Sequence, residues 1–103
     1  MAEYQGWTNY QTWAVKLWLD NDQGSQELQV EMAKESKKAD EAEWKIDLAD
    51  MLKQLIEDGA PEFEASMYSD LLNNALEEIN YYEIAEAIIN ETKENEKYIE
   101  ENK

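Results

Sequence analysis

The chain has 103 residues, with 25 Asp and Glu against 9 Lys, no Arg, His or Cys, and a formal charge of −16. Its length supports one domain that removes roughly 60–65% of its unfolded surface from water on folding. The missing residue types exclude disulfides, thiol catalysis, zinc sites of the usual kind, His-based proton relays and bidentate Arg clamps on phosphate.

A hydrophobic content of 43%, with 4 Trp and 6 Tyr, separates the chain from acidic disordered tails and predicts a folded core. No window of 18 residues is apolar throughout, and Met1-Ala2-Glu3-Tyr4 lacks the basic and apolar regions of a signal peptide; a cytoplasmic protein is expected. The surplus of negative charge disfavours direct binding to DNA, RNA or anionic lipid, since the lysines are scattered apart from Lys34, Lys37 and Lys38.

The first predicted helix runs from Thr8 to Asp20, with Tyr10, Trp13, Ala14, Leu17 and Trp18 on one stripe and Thr8 with Gln11 as its capping box. Val15 and Leu19 lie off that stripe, so the helix is apolar around much of its circumference and is expected to pack centrally. Asp20-Asn21-Asp22-Gln23-Gly24 reads as the turn that ends it, with Gly24 supplying a positive φ. A second helix is predicted from Ser25 to about Lys37 on a thin apolar face anchored by Leu28 and Met32. A break is expected over Lys34 to Asp40, which lacks large apolar residues. Asp40 with Glu43 then caps a third helix carrying the stripe Trp44, Leu48, Met51, Leu52 and Leu55, ending before Asp58-Gly59-Ala60-Pro61.

Beyond Pro61, the most regular amphipathic stripe of the chain comprises Tyr68, Leu71, Leu72, Ala75, Leu76 and Ile79. Asn80 marks the start of a last short helix through Ile84, Ala85, Ile88 and Ile89. A strand over Ile79 to Ile84 is the rival reading, disfavoured by Ala85, Glu86 and Ala87. The fold class predicted is all-α, a compact bundle of about five short helices forming one domain over 1–92. The charged segment 93–103, in which Tyr98 and Ile99 are the large apolar residues, is expected to fray.

No constellation carries recognisable chemistry. Asp20, Asp22 and Glu31 match positions 1, 3 and 12 of a calcium loop, but Gly24 falls where a ligand is required and Ser25 where the turn glycine belongs. Carboxylate pairs abound without a sign of a raised pKa or a pocket, so catalytic, cofactor and metal residues are all read as none.

What stands out is the aromatic cluster Tyr4, Trp7, Tyr10, Trp13 and Trp18, dense within 15 residues. Core packing is its ordinary explanation; Trp and Tyr are also the commonest binding hot spots. Trp7, which precedes the helix, is a candidate for the surface. Tyr81 and Tyr82 point about 100° apart on a helix, so one of them is expected to be exposed. Mass scaling gives a surface on the order of 6,000 Å², hence about 375 Å² per net charge, against about 100 Å² on B-DNA. Imitation of DNA would therefore require the acids from Glu27 to Glu64 to gather on one face.

The stretch Gly6-Trp7-Thr8-Asn9-Tyr10-Gln11-Thr12-Trp13, followed by Leu17-Trp18-Leu19-Asp20-Asn21-Asp22, resembles the opening of a family of small uncharacterised proteins from phages, plasmids and some archaea and bacteria. Ile79-Asn80-Tyr81-Tyr82-Glu83-Ile84-Ala85-Glu86 is similar to that family's closing segment, with Tyr81 where Trp is common. The resemblance implies a mobile-element or viral setting and brings no catalytic residue with it. Small acidic helical proteins in such settings are similar in character to DNA-mimicking inhibitors of host defence, an analogy of composition and not of motif.

The leading expectation is an interaction protein whose acidic face binds a basic, often nucleic-acid-binding partner, with Asp47, Asp50, Glu57 and Asp58 providing charge and Trp7 and Tyr82 providing contact. The alternative is a structural module that self-associates through its aromatic N-terminal region.

Overall fold

A computed structural model of the chain describes residues 3–61 and 64–101, with side chains through residue 96. Five helices follow in order: α1 (Tyr10–Asn21), α2 (Gln23–Ser36), α3 (Glu41–Gly59), α4 (Met67–Glu77) and α5 (Tyr81–Glu101). The protein is an all-α bundle, as the hydrophobic periodicity predicts. Among the described residues no helix is long and apolar enough to cross a membrane.

Before α1 the chain makes a two-residue turn. Tyr4 and Trp7 exchange both backbone hydrogen bonds at 2.8 Å. Gln5 and Gly6 between them have φ of 52° and 86°, the positive pair that a type I′ turn demands and that glycine adopts without steric cost. The N-cap of α1 is Asn9 rather than Thr8, its side chain accepting from the Thr12 amide at 2.9 Å. That leaves the Thr8 amide free to donate to Glu83 Oε1 at 3.0 Å.

The turn predicted at Asp20 to Gly24 is shorter than expected. Asp22, in extended conformation, is at once the C-cap of α1 and the N-cap of α2, and its carboxylate accepts from the Ser25 amide at 3.0 Å. Gly24 therefore lies inside the first turn of α2 and its φ is not positive, contrary to the sequence reading. A carboxylate two residues ahead of the glycine satisfies the helix start, so no left-handed residue is needed.

The expected break between the second and third helices is present, with α2 ending at Ser36 and Asp40 capping α3 by accepting from the Ala42 and Glu43 amides. Trp44, 4% exposed, closes the corner by donating its indole N–H to the Ala33 carbonyl at 2.9 Å. Gly59 and Ala60 end α3 just before Pro61, which disfavours helical geometry in the residue preceding it. Asn80 caps α5, its Oδ1 accepting from the Glu83 amide at 3.0 Å. The helix continues past the boundary at 92 drawn from composition, as far as Glu101; the side chains of Tyr98 and Ile99 lie outside those described.

The core is built from Leu19, Met32, Ala33, Trp44, Leu48, Leu52, Ile84, Ala85, Ile88 and Ile89. α3 packs most extensively on α5, and α2 joins both. Each buried Leu or Ile contributes about 1.5–3 kcal/mol of transfer free energy. α2 compensates for its thin apolar face with buried polar groups that are satisfied: Gln29 donates to the Leu19 carbonyl at 3.0 Å, and Ser36 donates to the Met32 carbonyl at 2.7 Å.

Two helices turn differently from their apolar stripes. In α1 the buried residues are Thr12, Lys16 and Leu19, with Val15 packed against the core, while Tyr10, Leu17 and Trp18 face outward. In α4, the most amphipathic segment by sequence, no residue is buried, and Met67, Tyr68 and Leu71 are largely exposed. The core is already filled by the other four helices, and α4 is not among the closely packed pairs.

Candidate interaction surface

The two segments that carry the family resemblance meet in space. Thr12 Oγ1 accepts from the Asn80 amide at 2.9 Å and donates to Asn9 Oδ1 at 2.7 Å. Asn9 Nδ2 donates to the Glu78 carbonyl at 2.7 Å, and Glu83 receives the Thr8 amide. These bonds join the start of α1 to the end of α4 and the start of α5, across sequence separations of 68 to 75 residues. Thr8, Asn9, Thr12, Asn80 and Glu83 are therefore occupied in holding the fold, an arrangement that local patterning could not reveal.

Lys16 is the second feature missed by sequence reasoning. It is 3% exposed in the interior face of α1, where its Nζ meets Asp20 at 2.7 Å, Gln29 Oε1 at 3.1 Å and Glu91 at 3.1 Å. A buried ammonium is tolerated when its donors are filled, and here an i+4 carboxylate and two side chains from other helices fill them.

Other lysines also tie helices together. Lys45 reaches Glu86 at 3.1 Å and Lys93 reaches Glu41 at 2.9 Å, both across the antiparallel α3–α5 pair; Lys38 meets Asp47 at 3.2 Å and Lys37 meets Glu96 at 3.8 Å. The hydrogen bond that Lys45 donates to Glu86, helped by the carboxylate's charge, holds the Lys45 ammonium above its ordinary pKa. The bond from Lys93 holds Glu41 below the ordinary carboxylate range. Burial raises the Tyr81 phenol, with the nearby Glu57 charge adding to it.

The acids expected to provide charge share one side of α3. At 100° per residue, Asp47, Asp50, Glu57 and Asp58, together with Glu43, span an arc of about 100° turned away from Trp44, Leu48 and Leu52. Asp50, Glu57 and Asp58 are exposed and take part in none of these ion pairs, whereas Asp47 is half-buried and bridged by Lys38. Of the two contact residues, Tyr82 is exposed at 44% beside α3, while Tyr81 packs against the core. Trp7 does not provide the free surface expected of it: it is half-buried against the core, because the type I′ turn folds it back onto the bundle.

The exposed indole is Trp18, at 75%. Nearer the start of α1, Tyr10 and Trp13 form a separate aromatic cluster with Tyr4, at centroid separations of 4.9 to 5.6 Å. The flank of α1 opens on two cavities. One, of about 510 Å³, is lined by Ala14, Val15, Trp18, Leu19 and Ile56 with Asp22 and Ser25 at its edge. The other, of about 620 Å³, lies between Thr8, Asn9 and Gln11 of the α1 end and Leu71, Asn74, Ala75 and Glu78 of the α4 end. The first has apolar walls with a polar edge, whereas the second is lined mostly by polar side chains, with Leu71 and Ala75 as its apolar part.

No curated protein and no solved structure matches the chain. Residues 1–101 match the family of unknown function DUF7249, and the chain belongs to that family.

Proposed function

We propose that this protein is a non-enzymatic, cytoplasmic interaction module that captures a basic protein through its acidic surface, with exposed aromatic side chains making the close contact. The observation that carries the reading is the division of charge. Five lysines are engaged in ion pairs, four of them linking separate helices or their caps, and this leaves Asp50, Glu57 and Asp58 outward on α3. Such a field speeds encounter with a cationic partner and makes association sensitive to salt.

Charge density favours a basic protein surface as the target over strict imitation of duplex DNA. The folded chain exposes 7436 Å², about 460 Å² for each of 16 net charges. Along α3 the five acids from Glu43 to Asp58 give about one charge per 5 Å of axis, against ~1.7 Å for duplex DNA. A mobile-element or viral setting, suggested by the N-terminal motif, would place the partner among host defence or transcription proteins that bind nucleic acid.

The test is capture of partners from lysate with and without competing DNA, followed by measurement of each purified partner at 50 and 500 mM salt. The reading expects loss of affinity at high salt and in D50N/E57Q/D58N; affinity constant across that range refutes the electrostatic mechanism. Competition by DNA would extend the reading to mimicry. Self-association is the second reading, favoured by the outward aromatic side of α1; a dimer in light scattering that Trp18→Ala dissolves would establish it instead.

A further inference from the structure

We propose that the cavity beside Trp18 anchors the basic partner by taking up one of its arginine side chains. The proposal rests on the acidic-module reading and adds to it the place of the close contact and the side chain that makes it.

The cavity follows from the packing of the bundle. α1 and α3 each pack on α2 and α5 but are not a closely packed pair themselves. The space of about 510 Å³ at their junction with the start of α2 is walled by Val15, Trp18 and Leu19 of α1 and Ile56 of α3, with Asp22 and Ser25 at its edge. That volume falls within the range of sites that enclose a small organic group. Val15 and Ile56 are half-buried, whereas Trp18 is 75% exposed, so one wall is an indole free to be covered. The edge is polar in one particular way. Asp22 Oδ2 accepts from the Ser25 amide at 3.0 Å and the Ser25 hydroxyl at 3.1 Å, which caps α2. Asp22 Oδ1 accepts no hydrogen bond among the described residues, and Asp22 joins none of their ion pairs, while Asp20 is already held by Lys16.

Charge and wall chemistry together select the occupant. A side chain with an aliphatic stem covers Val15, Leu19 and Ile56, and a cation at its end meets Asp22 Oδ1 beside Trp18, whose ring type attracts cations most strongly. Arginine suits these walls better than lysine. A guanidinium is planar, stacks on aromatic faces and is more weakly hydrated than an ammonium, so it enters an apolar-walled cavity at lower cost. The cations of the chain are engaged or placed elsewhere: Lys16, the one lysine of α1, is buried and ion-paired, α2 has none before Lys34, and Lys53 of α3 lines a different cavity with Glu57. A second copy cannot supply the group, since the chain contains no Arg and two copies meet with −16 each. Trp against Arg is also the pairing of side chains in which binding energy most often concentrates.

The experiment follows amide and indole N–H resonances of the full-length protein by NMR while blocked tripeptides are added at matched ionic strength. Each tripeptide has glycine on both sides of a central arginine, lysine or citrulline, the last having the shape of arginine without its charge. The arginine peptide is expected to shift the Trp18 indole N–H and the Ile56 amide along one saturable curve. It should bind at least fivefold more tightly than the citrulline peptide and at least twofold more tightly than the lysine peptide. Trp18→Ala and Asp22→Asn should each weaken it at least threefold without moving the thermal midpoint, because Trp18 is exposed and Asn retains an oxygen that caps α2. Equal binding of the arginine and citrulline peptides, or parental binding by Asp22→Asn, overturns the anchor. A lysine peptide that binds as tightly as the arginine one overturns the selection of a guanidinium. Free arginine that binds tenfold more tightly than its peptide overturns the assignment to a protein side chain. Shifts confined to α3 around Asp50 and Asp58 overturn the cavity while sparing the acidic module. No shift from either cationic peptide also overturns the anchor, and the acidic module is then judged separately by the salt dependence of its captured partner.

Discussion

Replacing Thr12 by valine isolates the polar lock between the two ends of the chain. The side chain is fully buried, and valine preserves its shape while exchanging the hydroxyl for a methyl. The Asn9 cap survives, because Asn9 Oδ1 still accepts from the residue 12 amide at 2.9 Å. The Asn80 amide, which donates to Thr12 Oγ1 at 2.9 Å, is left without that acceptor. One orphaned, partly buried donor costs about 1–3 kcal/mol, and the added methyl returns at most about 0.8 kcal/mol. The net loss lies between about 0.2 and 3 kcal/mol, centred on about 1–2 kcal/mol. At about 4–8 °C per kcal/mol for a domain of this size, the midpoint falls by about 4–16 °C. Urea denaturation should show a lower midpoint at unchanged m-value. Hydrogen exchange should show the Asn80 amide losing protection in Thr12→Val and keeping it in Thr12→Ser, which retains the hydroxyl. A Thr12→Val protein as stable as the parent, with Asn80 still protected, would refute the lock.

The orientation of α1 and the α3–α5 core make a paired prediction: Leu48→Ala, at a site with 0% exposure, costs about 2–5 kcal/mol, whereas Trp18→Ala changes stability by no more than about 0.5 kcal/mol. Denaturant titration of the two variants checks this, and a larger cost at Trp18 would mean that the outward stripe is the packed one. Glu41 has its pKa lowered by Lys93 from the ordinary 4.5, so its pairing stabilises the fold above that value and the contribution is lost as pH falls through the lowered pKa. The stability difference between the parent and Glu41→Gln, measured from pH 7 downward, should therefore shrink below pH 4.5; a difference that persists in acid would exclude the ion pair as its source.

Helices whose core stripes contain few competing residues were legible from spacing alone. Trp44, Leu48 and Leu52 on α3, and Ile84, Ala85, Ile88 and Ile89 on α5, are buried as their periodicity predicts, and Asp40 and Asn80 act as the caps they resemble. α1 was ambiguous because apolar residues surround it. The stripe through Tyr10, Trp13, Leu17 and Trp18 has the greater hydrophobic area, but Thr12 and Lys16 have partners on α2, α5 and the Asn80 turn that make the opposite face the better one to bury. The acids on one side of α3 were predictable from 100° geometry; which of them a lysine bridges was not, since Lys38 and Asp47 meet through a turn.

The sequence by itself determined the all-α class, the places where four of the five helices begin and end to within a few residues, and a net charge of −16. These depend on local capping, 3.6-residue periodicity and composition. Only the tertiary structure decided that α1 presents the Trp18 indole to solvent, that α4 leaves Met67, Tyr68 and Leu71 exposed, and that Lys16, Lys37, Lys45 and Lys93 join helices or their caps. Each of those outcomes depends on which face finds complementary partners from distant parts of the chain, a competition that spacing along one helix does not record.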